Sequence, residues 1–303
     1  MRDADVEAVE ALATLTFEDL DRRRGVPPPP RSRVTGGRVR MRRVLTTDPA
    51  GCWVADGPDG ELAGAALAIV REGVWGLSMF VVRPGLQSAG LGGALLGRAL
   101  DHGAGVRGGI ILSSPDPRAL RVYRRAGFAL HPVVSAAGAP GGMTEAPGVR
   151  PFTAADHAMA AAVDRRARGA AHAGDLDAIA EAGAELLALP GRGYVGHRDG
   201  KLILLAAADE DAAAALLRTA LARMPAGSEA DISWMTAAQG WAIDVAPAPC
   251  VARPGRSIRT CRPDASRSSG RSEPTQGTPT TSRPSRWSTG TTSRFPDAAV
   301  TPR

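Results

Sequence analysis

Val82-Arg83-Pro84-Gly85-Leu86-Gln87-Ser88-Ala89-Gly90-Leu91-Gly92 stands between an apolar run that reads as a strand, Val74 to Val82, and a stretch with Leu91, Leu95, Leu96 and Leu100 at helical spacing. Glycines lack a Cβ and let backbone amides come close to a ligand, and the unpaired N–H groups at the start of the following helix favour negative charge. The segment therefore reads as an anion cradle. On glycine spacing alone, a plain tight turn accounts for Gly90 and Gly92 equally well. The flanking residues narrow the choice. A dinucleotide-binding turn follows a parallel strand and needs an acidic residue about 20 positions on. Here Leu112-Ser113-Ser114 occupies that point, and the strands upstream read as antiparallel. No Gly-Lys-Ser/Thr follows, as a P-loop would need, and no G-x-S-x-G elbow is present.

Upstream, Cys52-Trp53-Val54-Ala55 and Leu62 to Val70 flank Asp56-Gly57-Pro58-Asp59-Gly60, a β-hairpin by its turn residues, and Val74 to Val82 adds a third antiparallel strand. Before them, Val6, Val9, Leu12, Leu15, Phe17 and Leu20 recur at roughly helical intervals until Pro27 to Pro30 forbids continuation, so one or two short helices precede a loop. Downstream, Ile110-Ile111-Leu112 reads as a strand. Asp116-Pro117 then opens a helix, because the carboxylate can accept from first-turn amides and proline there gives up no hydrogen bond, and Gly127 closes that helix before Phe128.

These residues resemble the GNAT superfamily of N-acetyltransferases. The family's coenzyme A signature is a strand ending in V-x-P followed by Q/R-x-x-G-x-G/A, which Gln87, Gly90 and Gly92 match; its later helix reads N-x-x-A-x-x-x-Y-x-x-x-G-F, matched by Ala119, Tyr123, Gly127 and Phe128, with Asp116 in place of Asn. The resemblance covers about residues 3 to 132. It implies an α/β (α+β) fold with a mixed, mostly antiparallel sheet flanked by helices, and transfer of an acetyl group from acetyl-CoA, the cosubstrate, to a primary amine of a small molecule or peptide, without a metal. The alternative is an acyl-CoA-binding or sensing module that does not turn over. The backbone of Phe80, Val81 and Val82 would pair with the pantetheine arm. Gln87, Ser88, Ala89, Gly90, Leu91, Gly92 and Gly93 would hold the pyrophosphate, with Asp116 counted among the cofactor-binding positions. Tyr123 stands where the family often places the phenol that protonates the departing thiolate; the competing reading is a packing tyrosine. The base is unassigned, since Val74 to Val82 holds no carboxylate and Glu72 only borders it, as a hairpin-turn residue would. The arginines at 118, 121, 124 and 125, and the histidines at 102, 131, 172 and 197, have no motif partners and are given no role.

At 303 residues the chain has room for two domains. Residues 1–132 read as the acetyltransferase domain and 133–148, with Ser-Ala-Ala-Gly-Ala-Pro-Gly-Gly, as a linker. Residues 149–249 read as a degenerate, truncated GNAT-like repeat. Their helix at Ala154 to Arg166, hairpin at Gly193 to Ala208, helix at Asp211 to Met224, strand at Asp231 to Met235 and helix start at Thr236 echo the first half. From Gly60 to Ile110 is 50 residues but from Gly200 to Ile232 only 32, so the copy lacks room for both a third strand and a glycine loop and is not expected to bind coenzyme A.

Residues 250–303 turn abruptly to Ser, Thr, Arg and Pro. Too few apolar residues remain to offset ordering entropy, so the tail is expected to be disordered; past about Val245 it resembles an out-of-frame translation of GC-rich DNA. Met1, standing where an opening strand of the family would have passed, reads as an internal start. The formal charge of +6 resides in the tail, where ten arginines face three acids for a net of +7, leaving residues 1–250 at −1. A near-neutral body, and a tail poor in aromatic residues, argue against nucleic acid as a partner. Cys52, Cys250 and Cys261 form no C-x-x-C pair, and no leader or long apolar run appears, which points to a cytoplasmic protein without a membrane partner. A tandem arrangement leaves monomer and homodimer equally open.

Overall fold

The computed structural model describes residues 1–25, 34–140, 142–225, 227–246, 251–262 and 300–301. The chain begins with helices α1 (Val6–Arg23) and α2 (Val34–Thr47), followed by the antiparallel strands β1 (Cys52–Asp56), β2 (Leu62–Arg71) and β3 (Val74–Val82). Then come α3 (Leu91–Asp101), β4 (Gly108–Ser113), α4 (Pro117–Arg125) and β5 (Ala129–Gly138). The second half runs β6 (Arg150–Pro151), α5 (His157–Arg168), α6 (Asp175–Glu181), β7 (Glu185–Leu189), β8 (Gly193–Arg198), β9 (Lys201–Ala207), α7 (Glu210–Ala222), β10 (Ala230–Met235) and α8 (Trp241–Val245). Two further strands, β11 (Val251–Arg262) and β12 (Val300–Thr301), complete one mixed sheet in the order β12-β1-β2-β3-β4-β11-β5-β10-β9-β8-β7-β6.

The expected helices and strands around the glycine loop form within a residue or two of the predicted limits, and Asp116 caps α4 by accepting from Arg118 N at 2.9 Å. Other elements depart from expectation. The stretch after the proline run holds α2, whose sequence has two glycines and little apolar content. It is held from outside: Met41 and Val44 pack in the core under β1 and β2, and Arg38 pairs with Glu10 and Glu7 of α1. The strand β5 runs on to Gly138, into the stretch read as linker, because β10 and β11 pair with its two edges. Val251–Arg262, in the tail expected to be disordered, is a strand between β4 and β5; main-chain pairing with two open edges sustains it where composition would not. Residues 263–299, with the rest of that expectation, lie outside the described residues.

Each half contains three antiparallel strands, a helix and a strand parallel to the third, since β3 meets β4 and β9 meets β10 in parallel. The two-residue turns Glu72-Gly73 (φ 46° and 77°) and Asp199-Gly200 (φ 49° and 72°) have positive φ at both positions, as hairpin turns matched to strand twist require. They correspond to each other, so Gly200 is the counterpart of Gly73 and not of Gly60. The second half thus keeps its third strand, β7, and lacks the loop: β3 and α3 are separated by residues 83–90, β9 and α7 only by 208–209.

Polar contacts join the halves. Asp175 accepts from Arg71 at 2.7 and 3.0 Å and from Arg43 at 3.3 Å, while Glu72 pairs with Arg165 at 2.6 Å and accepts from Ala171 N at 3.1 Å. Glu72 is therefore a turn residue that ties β2–β3 to α5, in keeping with its bland reading. Beneath α3, Trp75 is 1% exposed, stacks at a tilt on Phe128 with centroids 5.9 Å apart, and donates Nε1–H to Ala99 O at 2.9 Å. Trp75→Ala is expected to lower stability by about 3–5 kcal/mol, from lost burial and the cavity left behind. A shift of the urea midpoint worth less than about 1 kcal/mol would contradict that packing.

Candidate active site

The chain's opening for a ligand begins with an irregularity in β3. Phe80 pairs with Ala66 and Met79 with Leu67, but Ala68 pairs with Leu77, so Ser78 is an extra residue bulged out of the ladder. On the other edge β3 pairs with β4 only at Val74, Trp75 and Gly76. Beyond that point the strands part, and from Leu77 to Val82 that edge of β3 has no strand partner among the described residues. Backbone groups left this way need a partner from water or a ligand. The gap is the floor of a cleft of about 1330 Å³.

The glycine loop closes one end. Gly85 (φ 89°), Ser88 (φ 69°) and Gly90 (φ 97°) all have positive φ, which turns the chain sharply into α3. Gly90 is the N-cap of α3 and offers no side-chain acceptor, so the first-turn amides carry no side-chain cap, an arrangement that favours negative charge. A Cβ on Gly92 would lie 3.3 Å from the Phe80 ring, a tight approach that the ring would have to yield to slightly. Ser88, Gly90, Gly92 and Gly93 line the cleft together with Phe80, Val81 and Val82. Ala89 is exposed and Leu91 is buried in the core, and neither lines it.

Gln87 also lines the cleft. Its Nε2 donates to Val82 O at 2.8 Å and its Oε1 accepts from Arg118, so the side chain clasps the loop to the end of β3 and to α4. Arg118, for which the sequence suggested no role, also donates to Asp116 at 2.8 and 3.1 Å and lines the cleft, as do Arg121 and Arg125. Burial alone would raise the Asp116 pKa, but the hydrogen bonds from Arg118 outweigh it and hold the carboxyl below its usual range. Arg83 is taken up by a two-pronged pair with Asp59 at 2.7 and 2.8 Å. Arg124 donates to Phe128 O at the end of α4.

Tyr123 faces the loop from α4, 4% exposed, its ring 5.9 Å from that of Phe80. Burial pushes its phenol up to about 12, against a hydrogen bond with Ser113 that lowers it and the charge of Asp116 that raises it. Buried Cys52 is likewise pushed up to about 11, chiefly by burial. Both groups have folded-state values above their ordinary ones, so their contribution is complete below about pH 9 and is lost as pH rises through 11 and 12. Each is worth roughly 2–3 kcal/mol by the size of the shift. Stability measured by urea at pH 8 and pH 11 is therefore expected to fall, and Cys52→Ala should flatten the first part of that fall.

The first helices and the second half complete the wall. Thr16, Phe17, Leu20 and Arg23 come from α1 and Arg40 from α2, while Lys201 and Trp234 come from the second half. Trp234 has φ 71°, a strained backbone for a bulky residue, at an interruption in the pairing of β10 with β5. No single-residue signal in the sequence marks these positions.

Residues 16–128 match the model of the family described as Acetyltransferase (GNAT) family. The chain is similar in structure to a candidate acetyltransferase from Pyrococcus horikoshii, with a TM-score of 0.66 at 17% identity over 87% of this chain and 88% of that one. It is also similar to GCN5-related N-acetyltransferases from Kribbella flavida and Sphaerobacter thermophilus. Each gives a TM-score of 0.52 at 16% identity over 86% of this chain, and over 70% and 93% of theirs, respectively. Among curated proteins none matches the chain. The fold is thus GNAT-like, a mixed and mostly antiparallel sheet flanked by helices, and residues 16–128, which match the family model, supply most of the cleft's lining. Among the described residues no helix is long and apolar enough to cross a membrane.

Proposed function

We propose that the chain is an acetyl-CoA-dependent N-acetyltransferase acting on a primary amine. The observation that carries this reading is the open edge of β3 from Leu77 to Val82 leading to an uncapped helix start at Gly90, a peptide-like slot that ends in an anion cradle. Acetyl-CoA supplies the activated acetyl group and has the matching shape, an amide-bearing arm joined to a pyrophosphate. The arm adds to the free edge as a short strand would. The amides of Gly90 to Gly93 receive the phosphates. A backbone N–H near Met79 or Phe80 faces the acetyl oxygen and stabilises the charge that grows there during amine attack. Tyr123, protonated throughout the neutral range, donates a hydrogen bond to the departing sulfur.

In the same reading the second half is a GNAT-like repeat that has lost the loop, and its task is to wall the acceptor side through Lys201 and Trp234. A non-catalytic acyl-CoA sensor is the second reading, and one observation favours it. Among the described residues lining the cleft the carboxylates are Asp101 and Asp116, and Asp116 is committed to Arg118. Titration of the purified full chain with acetyl-CoA in a calorimeter is expected to give micromolar binding. A folded chain that binds no acetyl-CoA would overturn both readings, whereas binding without acetylation of any amine in a broad panel would favour the sensor.

A further inference from the structure

A second cavity, of about 290 Å³, opens beside the cleft and shares two wall residues with it, Ser78 of the β3 bulge and Arg40 of α2. Its ionisable lining is strongly one-sided: Arg40, Arg43, Arg71 and Arg198 against Asp175, with His172 tied through Nδ1 to Asp164 at 2.9 Å. Three of the four arginines are engaged. Arg43 and Arg71 share Asp175, Arg71 also reaches Asp48 at 2.7 Å, and Arg198 donates to Ala182 O and lies 3.7 Å from Asp199. Arg40 is different, with no carboxylate partner among the described residues. Arg40 is exposed, its surface open to the two cavities; partial desolvation by the protein atoms around it, and after that the charge of Arg198, hold its pKa below the ordinary value. A guanidinium in this position is stabilised by an anion that enters the cavity.

The cofactor's phosphates do not reach it. They belong at residues 85–93, beyond Val82, and Ser78 lies four residues upstream, about 13 Å along the strand. An anion on Arg40 therefore comes with the acceptor. We propose that Arg40 and this side cavity form the acceptor's anion subsite, so that the amine acetylated here carries a carboxylate or phosphate a few bonds from its nitrogen. The inference rests on the acetyltransferase reading and adds to it a substrate class: anionic amines, in preference to polycationic ones. Trp234, Phe17 and Leu20 at the cleft wall add an apolar surface for the rest of the molecule.

The test compares phenylalanine, phenylalaninamide, phenethylamine, 2-aminoethyl phosphate and spermidine as acceptors with the full-length chain, its Arg40→Gln variant and an Arg40→Lys variant, with acetyl-CoA binding measured calorimetrically for each. The wild type is expected to favour the two anionic amines over the neutral and cationic ones by about tenfold or more in kcat/KM, the scale of one charge-assisted contact. Arg40→Gln should erase that preference mainly through KM, Arg40→Lys should restore part of it, and acetyl-CoA affinity should be unchanged in both. Carboxylate and phosphate acceptors compared with each other identify which anion is preferred. Acetyl-CoA binding together with a preference for spermidine, or a preference for the acids that survives in Arg40→Gln, overturns the subsite and leaves the acetyltransferase reading standing. Failure of all three proteins to bind acetyl-CoA overturns both.

Discussion

Gly90→Glu is expected to weaken acetyl-CoA binding by more than about 100-fold while the protein stays folded. Two effects add. Gly90 has φ 97°, which costs a residue with a Cβ about 1–3 kcal/mol, and the distortion falls on the amides that start α3. The new carboxylate also faces the pyrophosphate, and unit charges about 5 Å apart at an effective dielectric constant of about 20 repel by about 3 kcal/mol. Nothing lies within 4 Å of a Cβ built on Gly90, so the side chain itself need not disturb the core. Gly92→Glu should act in the same direction, with an added clash because its Cβ meets Phe80 at 3.3 Å. Calorimetry beside a thermal melt decides the matter. A Gly90→Glu chain that binds acetyl-CoA within threefold of the wild type, with an unchanged melt, would place the phosphates elsewhere.

Tyr123→Phe should lower kcat by about 100-fold and leave the acetyl-CoA dissociation constant unchanged, the pattern of a group used in the transition state. The ring is 4% exposed and packed on Phe80, so phenylalanine preserves the packing and removes only the hydroxyl. With its phenol near 12 and a thiol near 8.5, complete proton transfer to the sulfur runs uphill by about 5 kcal/mol. In the proposed reaction the hydroxyl is then a hydrogen-bond donor to the departing sulfur, not a full proton donor, and the Tyr123 contribution should stay flat from pH 7 to 10, because raising the pKa delays deprotonation. An unchanged kcat would reduce Tyr123 to a packing residue. A fall of kcat near pH 8 that vanishes in the phenylalanine variant would show a phenol far more acidic than its burial implies.

Much of the first half was legible because its signals are local. The glycine loop before α3, the Asp116-Pro117 helix start and the apolar runs of β1 to β3 with their turns depend on residues within a few positions of one another, and the structure has them where the spacing puts them. The motif position of Gln87 was legible, but its partners Val82 O and Arg118 were not, because they are chosen by how the loop packs. The order of hairpin, helix and strand in the second half was legible, but β7 was not: it is a short run, Glu185–Leu189, easily passed over beside the Asp199-Gly200 turn.

By itself the sequence determined the order of strands and helices around the loop, the start of α3 directly after Gly90, and the position of Tyr123 on its helix. Only the tertiary structure decided that Ser78 bulges and parts β3 from β4, that α2 forms at all, and that Arg40 lines one cleft with Lys201 and Trp234 and a side cavity with three other arginines. The reason is physical. Turn chemistry and side-chain period act within one or two turns of chain, whereas the width of a cleft, and which charges line it, depend on packing between segments more than a hundred residues apart, such as Arg71 and Asp175.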